Sequence, residues 1–159
     1  MNSLVAGIGE FKVSNHPDDV IKTFALGSCI AIIMFDKVNL VGGLIHFALP
    51  ESSVSPEKAK VLPGYFADTG IPLFIEEMKK AGMVQKFTTI KLAGGASVLD
   101  ESHSFDIGRR NLLAAKKILW KYSMGITAED VGGTIARTVF LHVGTGELIL
   151  SSSGKKWNL

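Results

Sequence analysis

The sequence predicts an α+β protein: a layered sandwich of mixed or antiparallel β-sheets with helices packed on the outside. Three observations lead there. Short apolar runs rich in β-branched residues, mostly separated by hairpin-length polar turns, outnumber the stretches with helical spacing. Only two longer segments carry apolar residues on a helical period. Hydrophobic residues make up 47% of the 159 positions and charged residues 20%, enough to bury a core without staples, so a single domain spanning 1–159 is expected.

Taken in order, Leu4 to Val13 alternates loosely and reads as a first strand, broken by His16-Pro17-Asp18-Asp19; Val20 to Leu26 resumes extended structure. Gly27-Ser28 allows a sharp turn before Cys29. Cys29 to Phe35 and Leu40 to Phe47 flank a short polar segment with Asp36 and Asn39, the mark of a β-hairpin. Ala48 to Pro63, with three prolines, reads as a surface loop that could wall a site beside His46. Ile71, Phe74, Ile75 and Met78 predict a helix over Tyr65 to Lys80, capped by Gly82, with Pro72 either in its first turn or kinking it. Phe87 to Leu92 is a strand closed by Gly94-Gly95-Ala96-Ser97, read as a tight turn rather than a phosphate cradle because no lysine follows. Asp106 to Tyr122 is a second helix burying Leu112, Ala115, Leu119 and Tyr122; Ile126 to Val131, Ile135 to Val143 and Glu147 to Ser151 complete the strands, the last two joined at Gly144-Thr145-Gly146.

The hairpin holds the only cysteine of the chain. With a four-residue loop over Asp36 to Asn39, Phe35 faces Leu40 and Cys29 falls opposite His46, on one face with Cβ atoms roughly 4.5 to 5.5 Å apart. An odd loop would put the two side chains on opposite faces. A cysteine among apolar neighbours is either a small buried hydrophobe or a nucleophile, and His46 either a satisfied core histidine or its base; both readings stand at this point. In the catalytic reading the histidine depresses the thiol, N–H groups around Gly27, Ser28 and Cys29 form an oxyanion hole, and Thr23 on the adjoining strand orients the imidazole through its hydroxyl or carbonyl.

Other classes lose ground. A net charge of +2 with scattered Lys and Arg does not argue for nucleic acid, and pairs such as Lys79-Lys80 and Arg109-Arg110 read as solvated helix faces. There is no window of 18 apolar residues and no leader-like N-terminus, so a cytoplasmic location without membrane insertion is expected. One cysteine forms no internal disulfide, and His16, His103 and His142 lack ligand spacing, so neither metal nor cofactor is expected. Asn111 and Arg137 are either structural hydrogen-bonders or substrate contacts.

Across nearly the whole chain the sequence resembles the chemoreceptor glutamine deamidase family, CheD. The resemblance is carried in order by Gly7-Ile8-Gly9-Glu10, Leu26-Gly27-Ser28-Cys29, Gly42-Gly43-Leu44-Ile45-His46 with Leu49-Pro50, Tyr65-Phe66-Ala67-Asp68-Thr69, Ala93-Gly94-Gly95-Ala96, Ile107-Gly108-Arg109-Arg110-Asn111 and Asp130-Val131-Gly132-Gly133. It implies a cytoplasmic enzyme converting receptor glutamines to glutamate, a Cys29–His46–Thr23 site, hydrolysis of glutamyl methyl esters, a fold related to deamidating bacterial toxins, and a CheC-type phosphatase as regulatory partner. A monomer is expected. Val131 departs from the family motif, where threonine is expected. Two rivals remain: a regulator acting mainly by docking to the phosphatase, and a transglutaminase-like acyl transferase.

Overall fold

The computed structural model describes residues 2–97 and 106–159. Its elements run β1 (Asn2–Val5), β2 (Glu10–Ser14), β3 (Asp19–Leu26), β4 (Ile30–Asp36), β5 (Val41–Phe47), α1 (Pro56–Val61), α2 (Ala67–Lys80), β6 (Thr88–Gly94), α3 (Ile107–Lys121), β7 (Ala128–Val131), β8 (Arg137–His142), β9 (Leu148–Ser152) and β10 (Lys155–Asn158). Two five-stranded sheets result, in the orders β1-β3-β8-β9-β10 and β2-β5-β4-β6-β7. Each is antiparallel except for one edge pair, β1 with β3 and β6 with β7. This is the mixed α+β sandwich that the strand pattern predicts.

Residue alternation explains the layering. On β4, Ile30, Ile32 and Met34 point into a core shared with α2 and α3, while Ala31 and Ile33 point into a core shared with the other sheet. Both faces of the second sheet are therefore covered, which is why β4 and β5 are buried throughout and read as continuous apolar runs rather than alternating ones. The layers stack as sheet, sheet, helices, with the helices on one face only.

Several expectations are corrected. The single strand over Leu4 to Val13 is two: Gly7-Ile8-Gly9 carries the chain from one sheet to the other, and Gly9 N–H donates to the His46 carbonyl at 2.7 Å. The loop over Ala48 to Pro63 contains α1, a short helix with no buried residue. Pro72 lies inside α2 beyond its first turn, removing a hydrogen bond to the Asp68 carbonyl. On α3 the buried stripe is Gly108, Asn111, Ala115 and Leu119; Leu112 packs at its margin and Tyr122, past the helix end, is exposed. β10, charged and lacking a continuous apolar run, carries no strand signal strong enough to read from sequence.

Candidate functional site

The chain crosses between the two sheets at Gly27-Ser28-Cys29, and local irregularity sets up the crossing. β3 buries Ile21 and Thr23, but a bulge between Thr23 and Leu26, with Ala25 in the left-handed region at φ 53°, turns Phe24 and Ala25 outward and brings Leu26 back in. Thr23 thus looks into the sandwich from the first sheet immediately before the chain leaves it.

His46 looks in from the second sheet. It pairs with Ala31 on one side and Glu10 on the other. The expected register is therefore corrected by two residues: Asp36, not Phe35, begins the turn, and Cys29 lies one residue before β4 rather than opposite His46. The cause is the buried Asp36 side chain. It accepts from the N–H groups of Val38 and Asn39 at 2.9 Å, from Asn39 Nδ2 at 2.8 Å and from Val84 N–H at 2.8 Å, closing the loop over Lys37 to Leu40. Burial pushes the Asp36 carboxyl up, and these hydrogen bonds outweigh it, leaving it below its ordinary value. The loop is still even, so the face is kept. Cys29 packs against the core between the sheets, on the face of the second sheet from which Ala31 and its ladder partner His46 look in.

Thr23 lies not on an adjoining strand, as expected, but across the sandwich. Its Oγ1 is 2.7 Å from His46 Nδ1 and donates to the Ala6 carbonyl at 2.7 Å. A hydroxyl has one proton to give. Since the Ala6 carbonyl takes it, the threonine oxygen accepts from Nδ1–H, and the neutral ring must present a bare Nε2. That nitrogen is buried and has no hydrogen-bond partner among the described residues. Burial lowers the His46 pKa from 6.5 to about 4, so the imidazole is an uncharged base at neutral pH.

The half-buried Cys29 thiol is likewise uncharged. Burial pushes it up to about 11, against the smaller opposing effect of its own backbone N–H. The expectation that the imidazole depresses the thiol is not met in this geometry, because the sulfur makes no hydrogen bond to Nε2 and desolvation penalises both ions. What this arrangement can do is general-base chemistry: a neutral thiol gives its proton to a neutral, oriented imidazole as it attacks.

The other residues singled out from sequence gather around the crossing segment. Gly27 O accepts from Ala96 N–H and Cys29 O from Gly95 N–H, both at 2.8 Å, while Ser28 O accepts from Asn111 Nδ2 at 2.9 Å. The N–H groups of Ser28 and Cys29 donate to no carbonyl among the described residues. Glycine is required at two of these contacts: a Cβ on Gly94, at φ 104°, would strike the Cys29 carbonyl, and one on Gly108 would strike that of Gly95. Arg137 is structural, paired with Asp130 at 2.7 Å, and Trp157 Nε1 donates to the same carboxylate at 2.8 Å. Val131 packs against the core on the helix side of its sheet, away from the sandwich interior. Asn111 is the site residue that sequence reasoning left undecided; a polar side chain on the buried stripe of a helix was the available signal.

Among the described residues no group of three or more His, Cys, Asp or Glu gathers as metal ligands, and no helix is long and apolar enough to cross a membrane. His103 lies outside the described residues.

A family model described as CheD chemotactic sensory transduction matches residues 48–152. A protein of Syntrophotalea carbinolica named "probable chemoreceptor glutamine deamidase CheD" is 46% identical, with all of both chains covered. One of Syntrophus aciditrophicus named "probable chemoreceptor glutamine deamidase CheD 1" is 45% identical over 97% of this chain and 96% of its own. The chemoreceptor glutamine deamidase CheD of Thermotoga maritima is 42% identical over 94% of this chain and 92% of its own. With likeness of that depth running through the crossing segment, both strands of the hairpin and the helical layer, the chain belongs to the CheD chemotactic sensory transduction family.

Proposed function

We propose that this protein deamidates glutamine side chains of chemoreceptors through a Cys29 thioester. The observation that carries the reading is the Thr23–His46 hydrogen bond between the sheets, which leaves Nε2 as a bare, unpartnered base on the face shared with Cys29. The names of the relatives supply the substrate class.

In this mechanism the Cys29 sulfur attacks the carboxamide carbon while its proton passes to His46 Nε2. N–H groups of Ser28 and Cys29 hold the developing oxyanion. Collapse of the tetrahedral adduct expels ammonia, which takes the proton from Nε2. Water then gives a proton to Nε2 and attacks the thioester carbon; the sulfur departs and is reprotonated, leaving glutamate. Thr23 keeps the ring in one tautomer throughout and does no bond chemistry. A glutamyl methyl ester would follow the same route with methanol leaving. The proposed setting is the cytoplasm, where the receptor signalling region lies, with the monomer as the working unit and a CheC-type phosphatase as regulatory partner.

The test is mass spectrometry of receptor cytoplasmic fragments incubated with wild-type protein and with Cys29→Ala. Amide-to-acid conversion at defined glutamines by the wild type alone is the expected result; conversion by the variant rejects the nucleophile. A docking regulator is the second reading, and the half-buried thiol that makes no hydrogen bond to His46 is the observation that favours it. Phosphatase binding with no conversion of any receptor glutamine would select it.

A further inference from the structure

The segment Gly27-Ser28-Cys29 belongs to no helix or strand, yet each of its three carbonyls is held. Peptide planarity turns this into a statement about its N–H groups. In a trans peptide the C=O of one residue and the N–H of the next point in opposite directions within one rigid plane. Whatever grips the Gly27 carbonyl therefore aims the Ser28 N–H, and whatever grips the Ser28 carbonyl aims the Cys29 N–H. Neither N–H donates to a backbone carbonyl among the described residues. The Cys29 N–H lies against its own sulfur.

The two grips differ in kind. Gly27 O is held by main chain, the Ala96 N–H. Ser28 O is held by a side chain, Asn111, 0% exposed on α3. The second hydrogen of the same amide goes to the Ala48 carbonyl at 2.9 Å, just beyond His46, so one side chain ties the nucleophile segment to the end of the strand bearing the base. Asn111 Oδ1 is buried without a partner among the described residues. The fold thus keeps two donors at this point at the expense of an oxygen with no partner among the described residues, and neither an apolar residue nor an aspartate would supply those donors.

We propose that Asn111 is a positioning residue that aims the Cys29 N–H at the oxyanion of the acyl-transfer step by holding the far end of the same peptide plane. The inference rests on the reading of Cys29 as an acyl-accepting nucleophile, and not on which amide or ester it meets.

Two reagents separate this role from simple support of the loop. p-Nitrophenyl acetate acylates the thiol through a tetrahedral oxyanion: the sulfur–carbon bond forms, the bond to nitrophenolate breaks, and the thiol proton passes to His46 Nε2 and on to solvent. Iodoacetamide alkylates the same sulfur by displacement of iodide, with no oxyanion. Because Cys29 is the only cysteine, intact mass against a Cys29→Ala background reads both reactions at one atom. For Asn111→Ala and the near-isosteric Asn111→Asp, acetylation should fall roughly 10- to 100-fold relative to alkylation, with alkylation itself within about threefold of wild type. Equal changes in the two rates, or unchanged acetylation, would overturn the proposal. A second measurement needs no variant: in wild-type protein, adding a peptide aldehyde that forms a thiohemiacetal on Cys29 should move the Cys29 amide proton resonance downfield, and an unmoved resonance would overturn it as well. Receptor glutamines enter neither assay, so failure to deamidate a receptor fragment would remove the substrate reading and leave this one intact.

Discussion

His46 sits within a ladder, paired with Ala31 on one side and Glu10 on the other, whereas Cys29 lies outside every ladder and is held through the carbonyls of a crossing segment. The base is further pinned from the opposite sheet, its Nδ1–H taken by Thr23, whose own proton goes to Ala6. Regular structure fixes the ring, its tautomer and its neutrality before substrate arrives. Irregular structure holds the sulfur by the carbonyls of its segment and leaves the Ser28 and Cys29 N–H groups without a carbonyl partner among the described residues, where a strand pairing would have consumed them. A site that needs a rigid base and donors free to meet a transient charge is served by that division.

The division predicts a graded series of effects. Cys29→Ala removes the nucleophile from a segment held by its backbone, so deamidation of receptor fragments should fall by a factor on the order of 10⁴ or more with little change in melting temperature. Next comes His46→Gln, with a loss of roughly 10²- to 10⁴-fold in kcat. The same variant tests the neutrality of the ring by stability. The unfolded chain takes up a proton near 6.5, the folded chain only near 4, so the stability present above pH 6.5 is lost as the pH falls toward 4. At about 1.4 kcal/mol per pKa unit this amounts to about 3 kcal/mol, and chemical denaturation across that window should show the slope in the wild type and a reduced one in His46→Gln. Thr23→Val keeps the shape and deletes the hydroxyl, stranding Nδ1–H and the Ala6 carbonyl in the sandwich. A loss of roughly 10- to 100-fold in activity is expected, with about 1–3 kcal/mol of stability, and an unchanged rate would remove Thr23 from the site.

What could be seen in the sequence divides along the same line. The sheet-rich pattern, the hairpin and the shared face of Cys29 and His46 were legible because period-two alternation survives any even loop. The register was not, because it depends on the Asp36 carboxylate reaching Val84, far along the chain, to close the turn. The split of the first strand was hidden because Gly7-Ile8-Gly9 interrupts alternation too briefly to announce a change of sheet. Thr23 was found, but as a neighbour within one sheet; its placement across the sandwich requires knowing that β3 and β5 belong to different sheets. Asn111 showed only as a polar residue in a helical stripe, since the two carbonyls it binds are brought to it by tertiary structure alone. The raised thiol is illegible in the sequence for a related reason. Proximity of a histidine argues for a depressed thiol, while burial of both groups, which no local pattern reports, argues more strongly for the neutral pair.

The smallest expected effect is the one that tests this last point. If sulfur and imidazole rest as a neutral, non-bonded pair, the imidazole contributes almost nothing to the reactivity of the free thiol. Iodoacetamide alkylation of wild-type Cys29 should then be slow at neutral pH and climb steadily through pH 9 toward the thiol's raised value of about 11. His46→Gln should leave that profile within about threefold, even though it cuts turnover by orders of magnitude. A thiolate–imidazolium pair predicts the opposite: a rapid plateau beginning below pH 7 and its disappearance in the variant. Finding that plateau would mean that the base already holds the proton at rest. The bare Nε2 would then describe a conformer that the active protein leaves, and the contrast between a base fixed within a ladder and a sulfur held outside one would give way to a single coupled ion pair.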